Sequence, residues 1–460
     1  MYEEQLNRIR RKLELAAEAD PDYQVFGARS HRYKMKQPLQ PAELQQFEQT
    51  HGVVLPEDYA AFLTGIGNGG AGPYYGIHPL GKKQSMELDG LAQPSHLHPK
   101  VGPSGAGGHS ELHETNLDSL SDEEYDQYEA RMFQGLLNIG EQGCTYETML
   151  VVTGEHRGKV VYLDLDSYRS FFTYEQNFLD WYERWLDETI ASYDSSWFGL
   201  RRGGDERELE SLYSSTADKH VRIEALQGML KLPEITDEMA AFLKEQCREE
   251  SGEVSQWALQ VLAKMRFDQA EPLLRQKLNG KDNDARLFAL QLIRWYMPQG
   301  DQRFAEEIVL LLPLETNIEA FRFMTYILDD AGVDLLQLML PLFNHPLAEF
   351  RLQAIYQAGK STSKEDALPY FTKALEDPDI GVKRIAIQAL SNVPEPALLE
   401  VYERLLLQHK TGDDYIRSNI SRRLQEFAFA SMDEVERAVP ASLSQVRGMF
   451  RASLEPYRRK

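Results

Sequence analysis

The chain has 460 residues, 42% of them hydrophobic, and a formal net charge of −22, which excludes a disordered polymer and argues against partners made of phosphate backbone or anionic lipid. No apolar run approaches the roughly 20 residues of a membrane-spanning helix, and the opening MYEEQLNRIRRKLELAAEADPD lacks the apolar centre of a secretion signal, so the expectation is a cytoplasmic protein with no membrane partner. The two cysteines, Cys144 and Cys247, are too few for a disulfide framework or a cysteine-rich zinc site, and both are expected as ordinary buried thiols.

The first predicted element is a helix with Leu6, Ile9, Leu13 and Ala16 on one face. Further on, GIGNGGAG at residues 65 to 72 contains G-x-G-x-x-G in Gly65, Gly67 and Gly70. A dinucleotide-binding loop needs a strand before those glycines and a helix after them. Here the order is reversed. Pro56 suits a first helical position, Glu57 and Asp58 suit the positive end of the helix dipole, and Tyr59, Phe62, Leu63 and Ile66 make an i, i+3, i+4, i+7 face. The glycines therefore end a helix, with Gly67 expected in the left-handed conformation, before the strand-like YYGI.

The stretch PLQPAELQQFEQTHGVVLPEDYAAFLTGIGNGGAGPYYGIHPL resembles the start of the SUKH superfamily. The resemblance rests on Phe47 and Glu48, the turn of Leu55, Pro56, Asp58 and Tyr59, then Phe62, Leu63 and the NGG of Asn68, Gly69 and Gly70. It continues through LLNIGEQGCTYETMLVVTGEHRGKVVYLDLD, two strand-rich runs around GEHRG, to the closing amphipathic NFLDWYERWLDETI. The resemblance covers residues 35 to 190 and implies an α+β fold. Bacterial members are mostly regarded as immunity proteins that neutralise a cognate toxin, often a nuclease, and others as adaptors; the matched residues themselves are core and turn positions rather than catalytic groups.

Residues 82 to 130 are less typical of a minimal member. The Gly, Pro and His content of PSHLHPKVGPSGAGGHSELH reads as a long surface loop. Its His96, His98, His109 and His113 are of a metal-ligating type, but these H-x-H and H-x3-H pairs sit in a glycine-rich loop without a supporting cysteine, and neither a metal nor a cofactor is expected. The following ELHETNLDSLSDEEYDQYEA has eight acidic residues from Glu111 to Glu129 and no Lys or Arg. It predicts a helix capped by Ser121, with Asp122, Glu123 and Glu124 in its first turn. The same helix is a candidate docking surface for a basic protein, with Tyr125 and Tyr128 as aromatic anchors. Asn68, Tyr74 and Tyr75, beside the glycine loop, are the other candidate partner contacts. No nucleophile elbow, phosphate-binding lysine loop or zinc-protease helix is present, and the chain is expected not to be an enzyme.

Beyond residue 195, SSWFGLRRGGDER reads as a linker over 196–208, after which the sequence repeats. Similar helix starts recur at Val221, Val254, Ala285, Phe321, Phe350, Val382 and Ile416, and four residues later a small position holds Ala225, Ala258, Ala289, Ala354 and Ala386, with Thr325 and Ile420 as the exceptions. Such periods mean a solenoid, and this one resembles HEAT repeats over residues 210 to 427. In six of the seven repeats the second residue is basic: Arg222, Arg286, Arg322, Arg351, Lys383 and Arg417. A nucleic-acid track is not expected, because residues 205 to 460 hold 32 Lys and Arg against 41 Asp and Glu; the bases are expected to pair with acids such as Glu253, Asp284 and Glu349.

The expected architecture is an α+β SUKH-like domain over residues 1–195, the linker, and an all-α HEAT-like solenoid over 209–460. The expected function is non-enzymatic recognition of a protein, a basic toxin being the leading partner and a cytoplasmic assembly held by a regulatory scaffold the alternative.

Overall fold

The computed structural model describes residues 2–81, 88–100, 108–110, 112, 115–249, 252–409 and 414–454. The chain divides into two units, Met1–Ala270 and Glu271–Lys460.

The first unit opens with helices α1 (Glu3–Ala19), α2 (Ala28–His31), α3 (Pro41–His51) and α4 (Glu57–Gly65). A two-stranded ribbon of β1 (His98–Pro99) and β2 (Gly108–His109) and helix α5 (Asp122–Met132) follow. Then come β3 (Leu136–Gly143), β4 (Tyr146–Val151), β5 (Val160–Asp164) and β6 (Ser170–Phe172), antiparallel and in sequence order, and helix α6 (Phe178–Ile190). Both faces of this sheet are apolar, so both must be covered. Leu137, Ile139, Leu150, Val152, Val160 and Tyr162 pack with the buried faces of α1, α4 and α6. The alternate residues Leu136, Met149, Val151, Val161, Leu163 and Phe172 pack with Leu97, Leu112, Tyr128 and Met132. The stretch expected as a surface loop thus contributes Leu97 and Leu112 to the cover of the second face, and helix α5 contributes Tyr128 and Met132.

The glycine stretch extends the sheet instead of holding phosphate. Met35, Gly70, Ile77 and Gly140 of β3 form successive antiparallel bridges, adding backbone partners at the sheet edge. Gly69 and Gly70 have φ of 88° and 124°, in the region that favours glycine. Gly67, expected there too, is not left-handed: its need for glycine is steric, since a Cβ would stand 2.5 Å from the Lys36 carbonyl oxygen. Asp58, read from sequence as a dipole residue, has a longer reach. Its buried Oδ2 accepts the Leu179 N–H at 3.1 Å and so joins α4 to the N-terminus of α6. Cys144 is a further correction, being exposed in the β3–β4 turn at φ 52°, a position that must bend sharply; Cys247 is half-buried.

Segment 196–208 is bound to the domain before it. Phe198 is buried, its carbonyl accepts from Tyr74 Oη at 2.9 Å, and Arg184 Nη2 donates to the Arg201 carbonyl. Helices α7 (Glu206–Ser214), α8 (Lys219–Met229), α9 (Asp237–Glu249) and α10 (Glu253–Met265) follow, and the unit boundary falls within α11 (Phe267–Leu278). A buried ionic cluster lies where the α+β domain meets these helices. Arg184 pairs with Glu175 at 2.6 Å and with Glu188 at 2.9 Å, and Lys231 reaches Glu188 at 3.2 Å and the Gly204 carbonyl at 2.7 Å.

The second unit is all-helical: α12 (Asn283–Tyr296), α13 (Ala305–Leu311), α14 (Ile318–Asp330), α15 (Leu336–Met339), α16 (Ala348–Ala358), α17 (Leu368–Ala374), α18 (Ile380–Ala389), α19 (Ala397–Gln408), α20 (Asp414–Gln425), α21 (Met432–Ala438) and α22 (Ser444–Leu454). Helices α12, α14, α16, α18 and α20 pack successively, and the five alanines of the repeat are buried, as are Thr325 and Ile420 at the equivalent positions. Small side chains there let neighbouring axes approach. Thr325 keeps its hydroxyl satisfied in that setting by donating to the Arg322 carbonyl and accepting from the Nε2 atoms of Gln353 and Gln357 at 2.9 and 3.2 Å.

Candidate interaction surface

Helix α5 is anchored underneath and charged above. Ser121 accepts the Glu124 N–H and the Glu124 carboxylate accepts the Ser121 N–H, a reciprocal cap. The Ser121 hydroxyl also donates to that carboxylate, and this bond first, then the one from the Ser121 N–H, holds the exposed Glu124 carboxyl below the usual carboxylate range. The Tyr128 ring, expected as an anchor for a partner, is instead buried with Met132 in the second core, because its register points it at the sheet. Tyr125 is 37% exposed; its hydroxyl lies 3.0 Å from that of Tyr168, which donates to Glu129 at 2.9 Å. Burial first, then these bonds, push the Tyr168 hydroxyl well above its ordinary pKa. Asp118, Asp122, Glu123 and Asp126 remain exposed, and none pairs with a Lys or Arg among the described residues. Glu111 and Glu114 lie outside the described residues.

The second set of expected contacts separates. The Tyr74 side chain is buried through its bond to Phe198, and Asn68 spends its Oδ1 on the Leu80 N–H at 2.7 Å. Both are positions of internal architecture. Tyr75 alone is presented outward, 41% exposed and packed against the exposed Phe26 at 5.3 Å between ring centroids. Gly143 lies beside the Tyr75 ring, and Tyr146, its cross-strand neighbour, is exposed as well. Phe26 and Tyr146 were not singled out from sequence, since neither stands in a periodic or charged context. The surface therefore offers an acidic helix and an aromatic group at the β3–β4 turn.

Of the four loop histidines, the side chains of His96 and His98 are described, and they have different partners. His96 Nε2 lies 3.0 Å from Gln134 Oε1, His109 is the backbone register partner of His98, and His113 lies outside the described residues. His98 instead meets His156, from the turn between β4 and β5. Burial, with a smaller contribution from His98 and Lys159, lowers the His156 pKa from its ordinary value.

Among the described residues, no helix is long and apolar enough to cross a membrane. Residues 38–184 match the SMI1/KNR4 family (SUKH-1), and residues 336–425 match HEAT repeats. Among solved structures the chain is similar to YibA of Escherichia coli, at 16% identity and a TM-score of 0.37, over 54% of this chain and 93% of that one. It is also similar to the complex of CpcE and CpcF of phycocyanin lyase from Nostoc sp. PCC7120, at 16% identity and a TM-score of 0.27, over 55% of this chain and 97% of that chain. No curated protein matches. The chain joins an SMI1/KNR4 family (SUKH-1) domain to HEAT repeats, two kinds of protein-interaction module.

Proposed function

We propose that this is a non-enzymatic, cytoplasmic binding protein of the immunity type, whose α5 surface recognises a basic protein and occludes its active site. The observation that carries the reading is the row of unpaired acids on α5 beside the half-exposed Tyr125, on a helix whose other face is fixed in the core. A preorganised acidic face steers a basic partner and loses little entropy on binding. A nuclease, whose substrate is polyanionic, is the toxin class whose active-site face best complements it. The helical repeats supply a second, extended surface.

The experiment is affinity capture with the full chain and with its E123K/D126K variant, both positions lying outside the Ser121 cap. A small basic protein held by the former, released by salt and lost from the latter, supports the reading. Equal capture by both removes α5 from it.

A further inference from the structure

The turn between β4 and β5 and the ribbon strand β1 bring three metal-ligating side chains together from distant parts of the sequence. His98 Nδ1 stands 3.1 Å from His156 Nε2, and with a carboxylate oxygen of Glu155 the donor atoms all lie within 4.8 Å of one another. Around tetrahedral zinc, with bonds of about 2.0–2.1 Å, neighbouring ligand atoms stand roughly 3.3 Å apart. The two imidazoles already have that spacing. Glu155 is exposed, so a side-chain rotation closes what remains of the gap.

The site is held from beneath. The His156 ring packs edge-on against Phe172, a buried residue of β6, at 5.7 Å. The turn is pinned by Gly158 N–H to the Val151 carbonyl at 2.7 Å and by Lys159 N–H to that of His156 at 3.1 Å. Arg157, between them, donates to the carbonyls of Val54 and Leu55 at 3.1 and 2.6 Å. Its side chain is thereby turned away from the histidines, and Glu155 keeps its carboxylate free of that guanidinium. A metal site whose backbone is fixed before the ion arrives has less ordering to impose on binding.

We propose that His98, Glu155 and His156 form a surface site for a divalent transition metal ion of the zinc class. Two imidazoles and one carboxylate match the ligand preference of zinc and its neighbours and not that of calcium or magnesium, which take oxygen donors. Three protein ligands leave one coordination position open on the exposed side, as in metal sites that go on to bind water or another molecule.

The test is zinc titration of the full chain, first freed of metal by chelator dialysis, in competition with a chromogenic chelator. The expected result is one equivalent bound. H98Q, which changes an exposed residue, and H156A each weaken that binding more than about tenfold, a loss at least as large as that from removing an outer partner of a metal ligand. H96A, whose histidine faces Gln134, leaves it unchanged. Thermal unfolding of each variant establishes that the fold survives, and H98Q keeps the test valid where H156A does not fold. Zinc binding equally tight in wild type and H98Q, or lost to the same degree in H96A, overturns the site.

Discussion

Arg351 grips both carboxylate oxygens of Asp377, each at 2.8 Å, from α16 to the turn that leads into α18. Asp377 in turn accepts the Asp379 N–H, and Arg351 also donates to the carbonyl of His345, six residues before it. The same geometry recurs. Arg286 pairs with Glu315 at 2.9 Å and donates to the carbonyl of Gly280, and Arg222 donates to that of Thr216, six residues back in both cases. In the repeats of Arg286 and Arg351 the basic residue is thus a tie between its own preceding turn and the next repeat. The acids it uses are Glu315 and Asp377 rather than the Asp284 and Glu349 expected, because the acid must sit at the start of the following repeat to be reached; Glu253 pairs with Lys219.

Removing this tie exposes its worth. R351A leaves Asp377 short of its partner and the His345 carbonyl unsatisfied, and a loss of about 2–3 kcal/mol is expected from charge-assisted bonds of this kind. R351K restores less than half, since an ammonium cannot bond both oxygens in one plane. Urea unfolding of the two variants measures both effects.

The cluster of Glu175, Arg184, Glu188 and Lys231 balances two acids against two bases in a buried place. E188Q leaves an uncompensated cation there and is expected to cost about 3 kcal/mol or more. Adding K231M restores the balance, so E188Q/K231M is expected to be more stable than E188Q alone. Calorimetric unfolding of the two variants gives the comparison, and a double variant weaker than the single one would contradict the assignment.

The first unit is expected to weaken in acid in two stages. Burial lowers the His31 pKa from 6.5 to about 4, its ring meeting those of Tyr33 and Trp185 edge-on. The unfolded chain therefore binds more protons between those values, so the contribution is fully present above pH 6.5 and lost as pH falls toward 4. Its size is about 3 kcal/mol. Burial alone would raise Glu183, but hydrogen bonds from Arg8 and Lys12 bring it down from 4.5 to about 2. That contribution is present above pH 4.5 and lost as pH falls through 2. Unfolding free energy measured against pH checks this, with H31Q expected to remove the slope of the upper stage only.

The cap of α5 can be tested apart from its charge. S121A removes the acceptor for the Glu124 N–H and is expected to cost about 1 kcal/mol. Partner binding should fall only as far as the first turn frays, while E123K/D126K should abolish it with the helix intact. Circular dichroism and thermal unfolding separate the two cases.

The helical repeats and the cap of α5 were legible because each depends on local spacing: Ala225, Ala258 and Ala386 recur in register, and Ser121 precedes three acids. So was the aromatic face of α6, where Phe178, Trp181, Tyr182 and Trp185 are all buried. What escaped depends on distance in the chain. Lys231 reads as a surface lysine until Glu188 is placed beside it, and 196–208 reads as a linker until Tyr74 meets Phe198. His156 stands in an ordinary turn sequence, and its neighbour His98 is 58 residues away. Tyr125 and Tyr128 illustrate the limit within one helix. Three residues apart, one faces solvent and the other the sheet, and only the packing partner decides which.

The exposed acids of α5 are the centre of the proposed recognition surface. The most direct measurement is quantitative mass spectrometry of proteins captured from cytoplasm by the wild-type chain and by E123K/D126K at matched salt. A small basic protein is expected to be enriched on the wild type, depleted by salt and absent from the variant. Recovery of the same partners in equal amounts on both would contradict it.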